Sequence, residues 1–344
     1  MKILVTGTQG YIGSLLAPLL AREGFDVAGL DTGFYRDGWL YTTPAERPVT
    51  PVDWCRDLRT MTAADLRGFD AVVHLAEMSN DPLGEANPDV TYEINHKGSV
   101  ALAQAAREAG VSRFVYASSC SVYGVGDGGF MTEESPVNPQ TAYAHCKVKV
   151  EQDVGALARP GFSPTFLRNA TAFGASPRMR FDIVLNNLSG LAWTTQRIAM
   201  TSDGTPWRPL VHALDICRAV ICALRAPADA VHNQVFNVGD DNQNYRVREI
   251  AEVVAGVFPS CKLEVGQASA DNRSYRVSFA KIRRHLPDFE CQWDARQGAE
   301  QLRTVFERIA MDSAIFEFRA FTRLKQIKYL LATKQIDEHY FWRN

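Results

Sequence analysis

Apolar residues in this chain gather in short runs separated by glycine, proline and polar turns. Residues 2–6, Lys-Ile-Leu-Val-Thr, do not alternate in polarity and so read as a strand buried on both faces. Gly7, Gly10 and Gly13 follow at three-residue spacing, and residues 14–23, rich in leucine and alanine, predict a helix closed by Gly24. Residues 25–30 predict a second strand ending at Asp31. Further strands are predicted at 71–75, 113–117, 165–168 and 234–238, with helices at 95–109 and 142–157. This alternation implies an α/β fold built on a doubly wound parallel sheet. After Leu167 the rhythm loosens around Pro177, Pro206 and Pro209, which is where a smaller lobe would be inserted. Residues 316–331 carry apolar positions at helical spacing, with Arg319, Arg323, Lys325 and Lys328 expected on a solvated basic face. The closing aromatics Tyr340, Phe341 and Trp342 are expected to dock onto the body.

Composition narrows the class without changing the fold. The chain has 344 residues, 46% hydrophobic and 22% charged, enough to bury a sizeable core. A formal charge of −2 supplies no field for a polyanion, so no nucleic-acid partner is expected. The seven cysteines are odd in number and show no CxxC spacing, which points to reduced thiols and no metal site. Residues 1–6 are too short an apolar run for a signal-peptide core, and no run reaches the ~20 residues of a membrane span. A soluble, cytoplasmic protein without a membrane partner is expected.

The first thirty residues carry the first chemistry. A glycine turn between a buried strand and a helix brings backbone N–H groups and the positive end of the helix dipole to one point, which suits a phosphate. An acidic residue at the end of the second strand accepts hydrogen bonds from ribose hydroxyls and repels a ribose phosphate, so Asp31 points to NAD over NADP. Tyr143 and Lys147 are four residues apart on a predicted helix and therefore share a face. A phenol needs a nearby cation to act as a base near neutrality, and Lys147 would provide one. Ser118 and Ser119 follow the 113–117 strand, at the carboxyl end of the sheet where such folds bind ligands.

These motifs, with Asp57-Leu58, His74-Leu75-Ala76, Val122-Tyr123-Gly124, Asn186-Asn187-Leu188, Arg208-Pro-Leu-Val-His212 and Phe236-Asn-Val-Gly239, resemble those of extended short-chain dehydrogenase/reductases, specifically the NAD-dependent nucleotide-sugar epimerase/dehydratase family. The resemblance implies a Rossmann NAD-binding domain over residues 1–168, rejoined by segments near 209–240. It implies an interleaved substrate lobe over 169–312 and a helical tail over 313–344. Ser119, Tyr143 and Lys147 become the catalytic set. Gly7, Gln9, Gly10, Tyr11, Ile12, Gly13, Asp31, Asp57, Leu58, Leu75 and Ala76 become cofactor contacts, together with Tyr143 and Lys147. Asn80, Ser119, Ser121, Thr171, Asn187, Arg208 and Arg273 become contacts to a nucleotide-diphosphate sugar, Arg273 lying within Asp271-Asn-Arg-Ser-Tyr275. A homodimer through the helices at 95–109 and 142–157 is also implied.

Departures from the family pattern narrow the reaction. Dehydratases and decarboxylases of the family carry acidic residues directly after the catalytic serine or threonine, and this chain has Cys120 and Ser121 there. Neither replaces a positioned carboxylic acid. Cys120 is one position from the place a catalytic cysteine occupies in related epimerases, so it is read as buried and inert. Thr171 stands where many relatives have asparagine, and Glu77 where a small residue is common, with no role assigned to it. The reading is an NAD-dependent nucleotide-sugar epimerase of carbohydrate metabolism that removes and returns a hydride. The alternative is a keto-sugar nucleotide reductase or dehydrogenase, and behind it a dehydratase, a decarboxylase or a non-catalytic NAD sensor.

Overall fold

The computed structural model describes residues 1–42, 52–200, 202–267 and 273–343. Seven strands form one parallel sheet in the order Gln234–Val238, Ser163–Asn169, Arg113–Ser119, Ala71–His74, Lys2–Thr6, Asp26–Asp31 and Val52–Cys55. Every pairing in it is parallel. The doubly wound α/β expectation therefore matches the architecture. The chain leaves Lys2–Thr6 toward one side and Ala71–His74 toward the other, so the order reverses between them and a crevice opens above their carboxyl ends.

Local chemistry accounts for the elements around that crevice. Gly24 takes a left-handed φ of +86° just past the helix Gly13–Arg22, a conformation that side-chain-bearing residues rarely adopt. The predicted 95–109 helix is regular only over Ser99–Ala109 and is preceded by a π-helical turn, Tyr92–Gly98. Within that turn buried Asn95 accepts from the Met78 amide at 2.8 Å and donates to the Met78 carbonyl at 3.0 Å. The widened turn thus clamps the loop that follows Ala71–His74. The strand Val52–Cys55 carried no clear pattern of its own and owes its place to edge pairing with Asp26–Asp31.

The later chain adds small sheets. Trp207–His212 pairs antiparallel with Asn244–Arg246 and parallel with Thr171–Phe173. Ser274–Val277 pairs with Val125–Met131. One hydrophobic cluster runs from Val5 and Leu16 of the first βα unit through Leu167 and Phe236 to Leu302 and Phe306, so early and late segments of the chain share a continuous core. Among the described residues no helix is long and apolar enough to cross a membrane.

The tail corrects one expectation. The stretch 316–331 is not one helix: Ser313–Glu317 ends at Phe318, a 3-10 turn spans Arg319–Phe321, and a second helix runs Arg323–Ala332. The break turns Arg323 inward, where it is buried and its guanidinium stacks 3.9 Å from the Tyr35 ring centroid, while Lys325 and Lys328 remain exposed. Tyr340 is buried, and Trp342 packs on Phe34 and donates its indole N–H to the Thr32 carbonyl at 2.6 Å.

His74, at the crevice, is fully buried between Thr6 Oγ1 at 2.7 Å and Ser99 Oγ at 2.8 Å. Burial, with Lys147 nearby, pulls its pKa from 6.5 down to about 3. The unfolded chain therefore takes up a proton that the folded protein refuses, and stability falls as pH drops from about 6.5 toward 3. The expected loss attributable to His74 is about 2 kcal/mol between pH 7 and pH 5. Urea unfolding at both pH values checks this: His74→Gln should lose less stability over that interval than the wild type, and equal losses would refute the assignment.

Candidate active site

The glycine turn folds tightly onto itself. Gly7 has a φ of +79°, its amide donates to the Leu30 carbonyl at 2.7 Å, and its carbonyl accepts from the Gly10 amide at 3.0 Å. A Cβ on Gly13 would stand 2.0 Å from the Gly7 carbonyl oxygen, so the helix can begin here only with glycine. Gly7, Gly10, Tyr11, Ile12 and Gly13 line a cavity of about 530 Å³ that continues past Asp31, Asp57, Leu58, Leu75 and Ala76 to Ser119, Tyr143 and Lys147. Asp31 is held in place by the Gln9 amide at 2.9 Å and the Gly33 amide at 2.7 Å. The backbone cradle at a helix N-terminus and the acidic strand end fit a dinucleotide with a ribose diol. Gln9 does not line the cavity: its amide donates to Asp31, and its side-chain oxygen accepts from Arg178 at 3.4 Å. Tyr11 turns its hydroxyl into the core, donating to the Gly174 carbonyl at 2.6 Å, and burial pushes that phenol up.

Asp57 caps the turn Leu58–Thr60 and pairs with Arg59 at 2.7 Å. The Leu75 and Ala76 amides donate to Thr6 Oγ1 at 3.2 and 3.1 Å, which fixes the backbone along the cavity. Ser119 ends its strand and accepts from the Ser121 amide at 3.1 Å, while Ser118 donates to Glu151 at 2.5 Å. Ser121 Oγ is buried in the lining with no hydrogen-bond partner among the described residues. Cys120 lies outside the lining, buried, with Sγ 3.1 Å from the Arg168 carbonyl, and burial pushes its thiol up.

Tyr143 and Lys147 share a face of the helix Ala142–Gly155. Lys147 is buried, donates to the Ala117 carbonyl, and lies 2.5 Å from the carboxylate of Glu77. Burial works against its ammonium, but the Glu77 carboxylate outweighs this and holds Lys147 above its ordinary value. Glu77 also accepts from the Tyr116 hydroxyl at 2.5 Å. Sequence reading noticed this glutamate but gave it no role, because its partners come from two distant elements.

Of the expected substrate residues, Asn80, Ser119, Ser121, Thr171, Arg208 and Arg273 line the cavity. Asn80 also caps the helix Asp81–Ala86 and donates to Asp182 at 2.7 Å. Arg208 lies 5.8 Å from the Tyr275 ring centroid and donates to the carbonyls of Trp207 and Arg273, and Arg273 pairs with Asp81. Asp271 and Asn272 are outside the described residues. Asn187 is not brought to the cavity: its amide donates to the Phe181 carbonyl at 2.9 Å and ties down the start of the helix Val184–Thr195.

Several lining residues were not legible as site residues in the sequence, Asn169, Arg180 and Arg323 among them. Asn169 brings a buried Oδ1, and Arg180 a buried Nη2, that have no hydrogen-bond partner among the described residues. Arg180 Nε pairs with Asp182 at 2.8 Å. Arg323 stands close enough to Arg180 that burial, with this repulsion, pulls it down to about 10, still charged at neutrality. Two buried guanidinium groups at one cavity suit an anionic ligand. The only signal for Arg180 was Ser176-Pro-Arg-Met-Arg180, within a stretch that lacks periodicity.

Gly13→Ala tests the cradle, since the added methyl meets only backbone atoms and cannot be relieved by a side-chain rotation. NAD affinity measured by calorimetry should fall at least about tenfold, equivalent to about 1.4 kcal/mol. Unchanged affinity would show that the cofactor does not use this turn.

Residues 3–239 match the family model described as the NAD dependent epimerase/dehydratase family. The UDP-glucose 4-epimerase of Corynebacterium glutamicum is 29% identical over 266 residues, 74% of this chain and 79% of that protein. The UDP-glucose 4-epimerase of Bacillus subtilis is 27% identical over 336 residues, 88% of this chain and 94% of that protein. Among solved structures, MoeE5 in complex with UDP-glucose and NAD is 26% identical with a TM-score of 0.76, covering 90% of this chain and all of that one. With the family's match extending from the first strand to the turn after Gln234–Val238, this chain belongs to the NAD dependent epimerase/dehydratase family.

Proposed function

We propose that the protein is an NAD-dependent nucleotide-sugar epimerase, acting on a UDP-hexose or a close analogue. One observation separates this from elimination chemistry: each carboxylate lining the cavity is already engaged. Asp31 is held by two amides, Asp57 by Arg59, Glu77 by Lys147, Asp81 by Arg273 and Asp182 by Arg180. No carboxylic acid is left at the place after Ser119 where loss of water would need one. Tyr143 and the hydroxyls of Ser119 and Ser121 are on the lining and can exchange protons with a sugar oxygen.

In this reading Tyr143 takes the proton from a ring hydroxyl as the carbon bearing it is oxidised, and returns it when the carbon is reduced on its other face. Bound NAD supplies the hydride acceptor and donor for the two half-reactions, so there is no net redox change. Ser119 hydrogen-bonds the same oxygen, and Ser121 a neighbouring one. Arg208 and Arg273 hold the diphosphate, for which a guanidinium fork is well shaped, and Thr171 lines the path between. The similarity to two UDP-glucose 4-epimerases, and to a structure that holds UDP-glucose and NAD, supports this substrate class. The reading extends to a cytoplasmic homodimer, with the exposed faces of Ser99–Ala109 and Ala142–Gly155 meeting across the two-fold axis. Light scattering should then give twice the 38.2 kDa of one chain.

Incubation with UDP-glucose, followed by NMR of the products, tests the reaction. The expected product is an isomer of unchanged mass, formed without accumulation of free NADH. A product short of one water would replace epimerase with dehydratase, and stoichiometric consumption of NADH would indicate a reductase. Tyr143→Phe keeps the ring and removes only the hydroxyl, so turnover should fall by about 10²–10⁴-fold with NAD binding retained. Near-normal turnover in this variant would refute the proton-transfer role.

A further inference from the structure

Glu77 stands against the helix that carries Tyr143 and Lys147 and is paired with Lys147. It follows the strand Ala71–His74, and its side chain is only 2% exposed. Three donors converge on it: Lys147 from the helix Ala142–Gly155 at 2.5 Å, Tyr116 from the strand Arg113–Ser119 at 2.5 Å, and the Ser99 hydroxyl from the helix Ser99–Ala109. Burial pushes the Glu77 carboxyl up while Lys147, Tyr116 and Ser99 pull it back, and the pairing with Lys147 makes the two a neutral unit.

The charges around Tyr143 follow the same rule. From its own helix it meets Lys147, paired with Glu77, and beside Lys147 stands Cys146, a thiol pushed up to about 12 by burial and so uncharged. From the helix Asp81–Ala86 it meets Asp81, paired with Arg273, and from the segment before Val184–Thr195 it meets Arg180, paired with Asp182. Behind Lys147 lie Tyr116, a phenol pushed well up by burial and by Glu77, and His74, neutral. Arg323 lies beyond Arg180, stacked on Tyr35. Each cation that faces the Tyr143 hydroxyl is therefore matched by a carboxylate of its own.

We propose that Glu77 is a positioning residue that offsets the charge of Lys147 at Tyr143, so that the ionisation of Tyr143 is governed by whether the oxidised, positively charged nicotinamide lies beside it. The inference rests on the epimerase reading for its use but not for its measurement. Its consequence is a base that is switched on by the oxidised cofactor and off by the reduced one. That matches the need for Tyr143 to take a proton in the first half-reaction and give it back in the second. Burial raises the Tyr143 phenol, Lys147 pulls it down, and Glu77 and Asp81 push it up again, in accord with this arrangement.

The test follows tyrosinate absorbance across pH, as the difference between each protein and its counterpart carrying Tyr143→Phe, in enzyme loaded with NAD⁺ or with NADH. The Tyr143 midpoint of the otherwise unchanged protein should be lower by at least about one pH unit with NAD⁺ than with NADH. Glu77→Gln keeps the shape and frees the charge of Lys147, so the NADH-loaded midpoint should fall by about one unit or more. Glu77→Gln combined with Lys147→Met removes both charges and leaves none buried alone, so it should fold and titrate within about half a unit of the parent. If the double variant titrates a unit or more above the parent, the charge of Lys147 reaches Tyr143 uncancelled and the proposal fails. It also fails if Glu77→Gln leaves the midpoint unmoved. No sugar substrate enters these measurements, so a failure to epimerise UDP-glucose would overturn the proposed function and leave this result standing.

Discussion

A short chain of hydrogen bonds at the point where the sheet reverses direction holds the rest of the site in register. Thr6 Oγ1 accepts from the Leu75 and Ala76 amides, which leaves its proton for His74 Nδ1 at 2.7 Å. A neutral imidazole that accepts at Nδ1 carries its proton on Nε2, and so donates to Ser99 Oγ at 2.8 Å. Ser99 in turn faces Glu77. Backbone, imidazole, hydroxyl and carboxylate are thus aligned from the two central strands to Lys147, and every donor in the series has one acceptor. Buried polar groups arranged in this way are stable only when the series is complete.

The same economy governs the charges. The cavity wall carries several buried or half-buried ions, and an unpaired one would cost several kcal/mol. Pairing Lys147 with Glu77, Arg180 with Asp182 and Arg273 with Asp81 meets that cost locally, with each pair drawing its members from segments that converge only in the folded chain or lie within one turn of each other. Among the described residues, buried lining atoms without a hydrogen-bond partner include Ser121 Oγ, Asn169 Oδ1 and Arg180 Nη2. These are the atoms with hydrogen-bonding capacity to offer a polar ligand.

The tail contributes Arg323 to the wall of the cavity near Asp31 and Tyr35. Arg323 is brought against Tyr35 because the chain breaks at Phe318, and Trp342 seals the turn after Asp26–Asp31 by its hydrogen bond to Thr32. Ile327, Leu330 and Ile336 share a hydrophobic cluster with Leu4 and Leu30 of the sheet, so this closure has an apolar foundation.

Sequence alone determined the features that rest on local rules. The strand, glycine turn, helix and acidic strand end over the first thirty residues were legible because steric demands on glycine and the burial of parallel strands leave few alternatives. The four-residue spacing of Tyr143 and Lys147 fixed their common face in the same way. Tertiary structure decided whatever depended on partners far along the chain. It placed Arg323 inside rather than on a basic surface, kept Asn187 on the Phe181 carbonyl, and brought Arg180 and Asn169 to the cavity. Above all it gave Glu77 its meaning. A glutamate after His-Leu-Ala is only a departure from pattern in one dimension, and the electrostatic cost of burying its charge makes it a partner of Lys147, seventy positions further along, once the chain between them has folded.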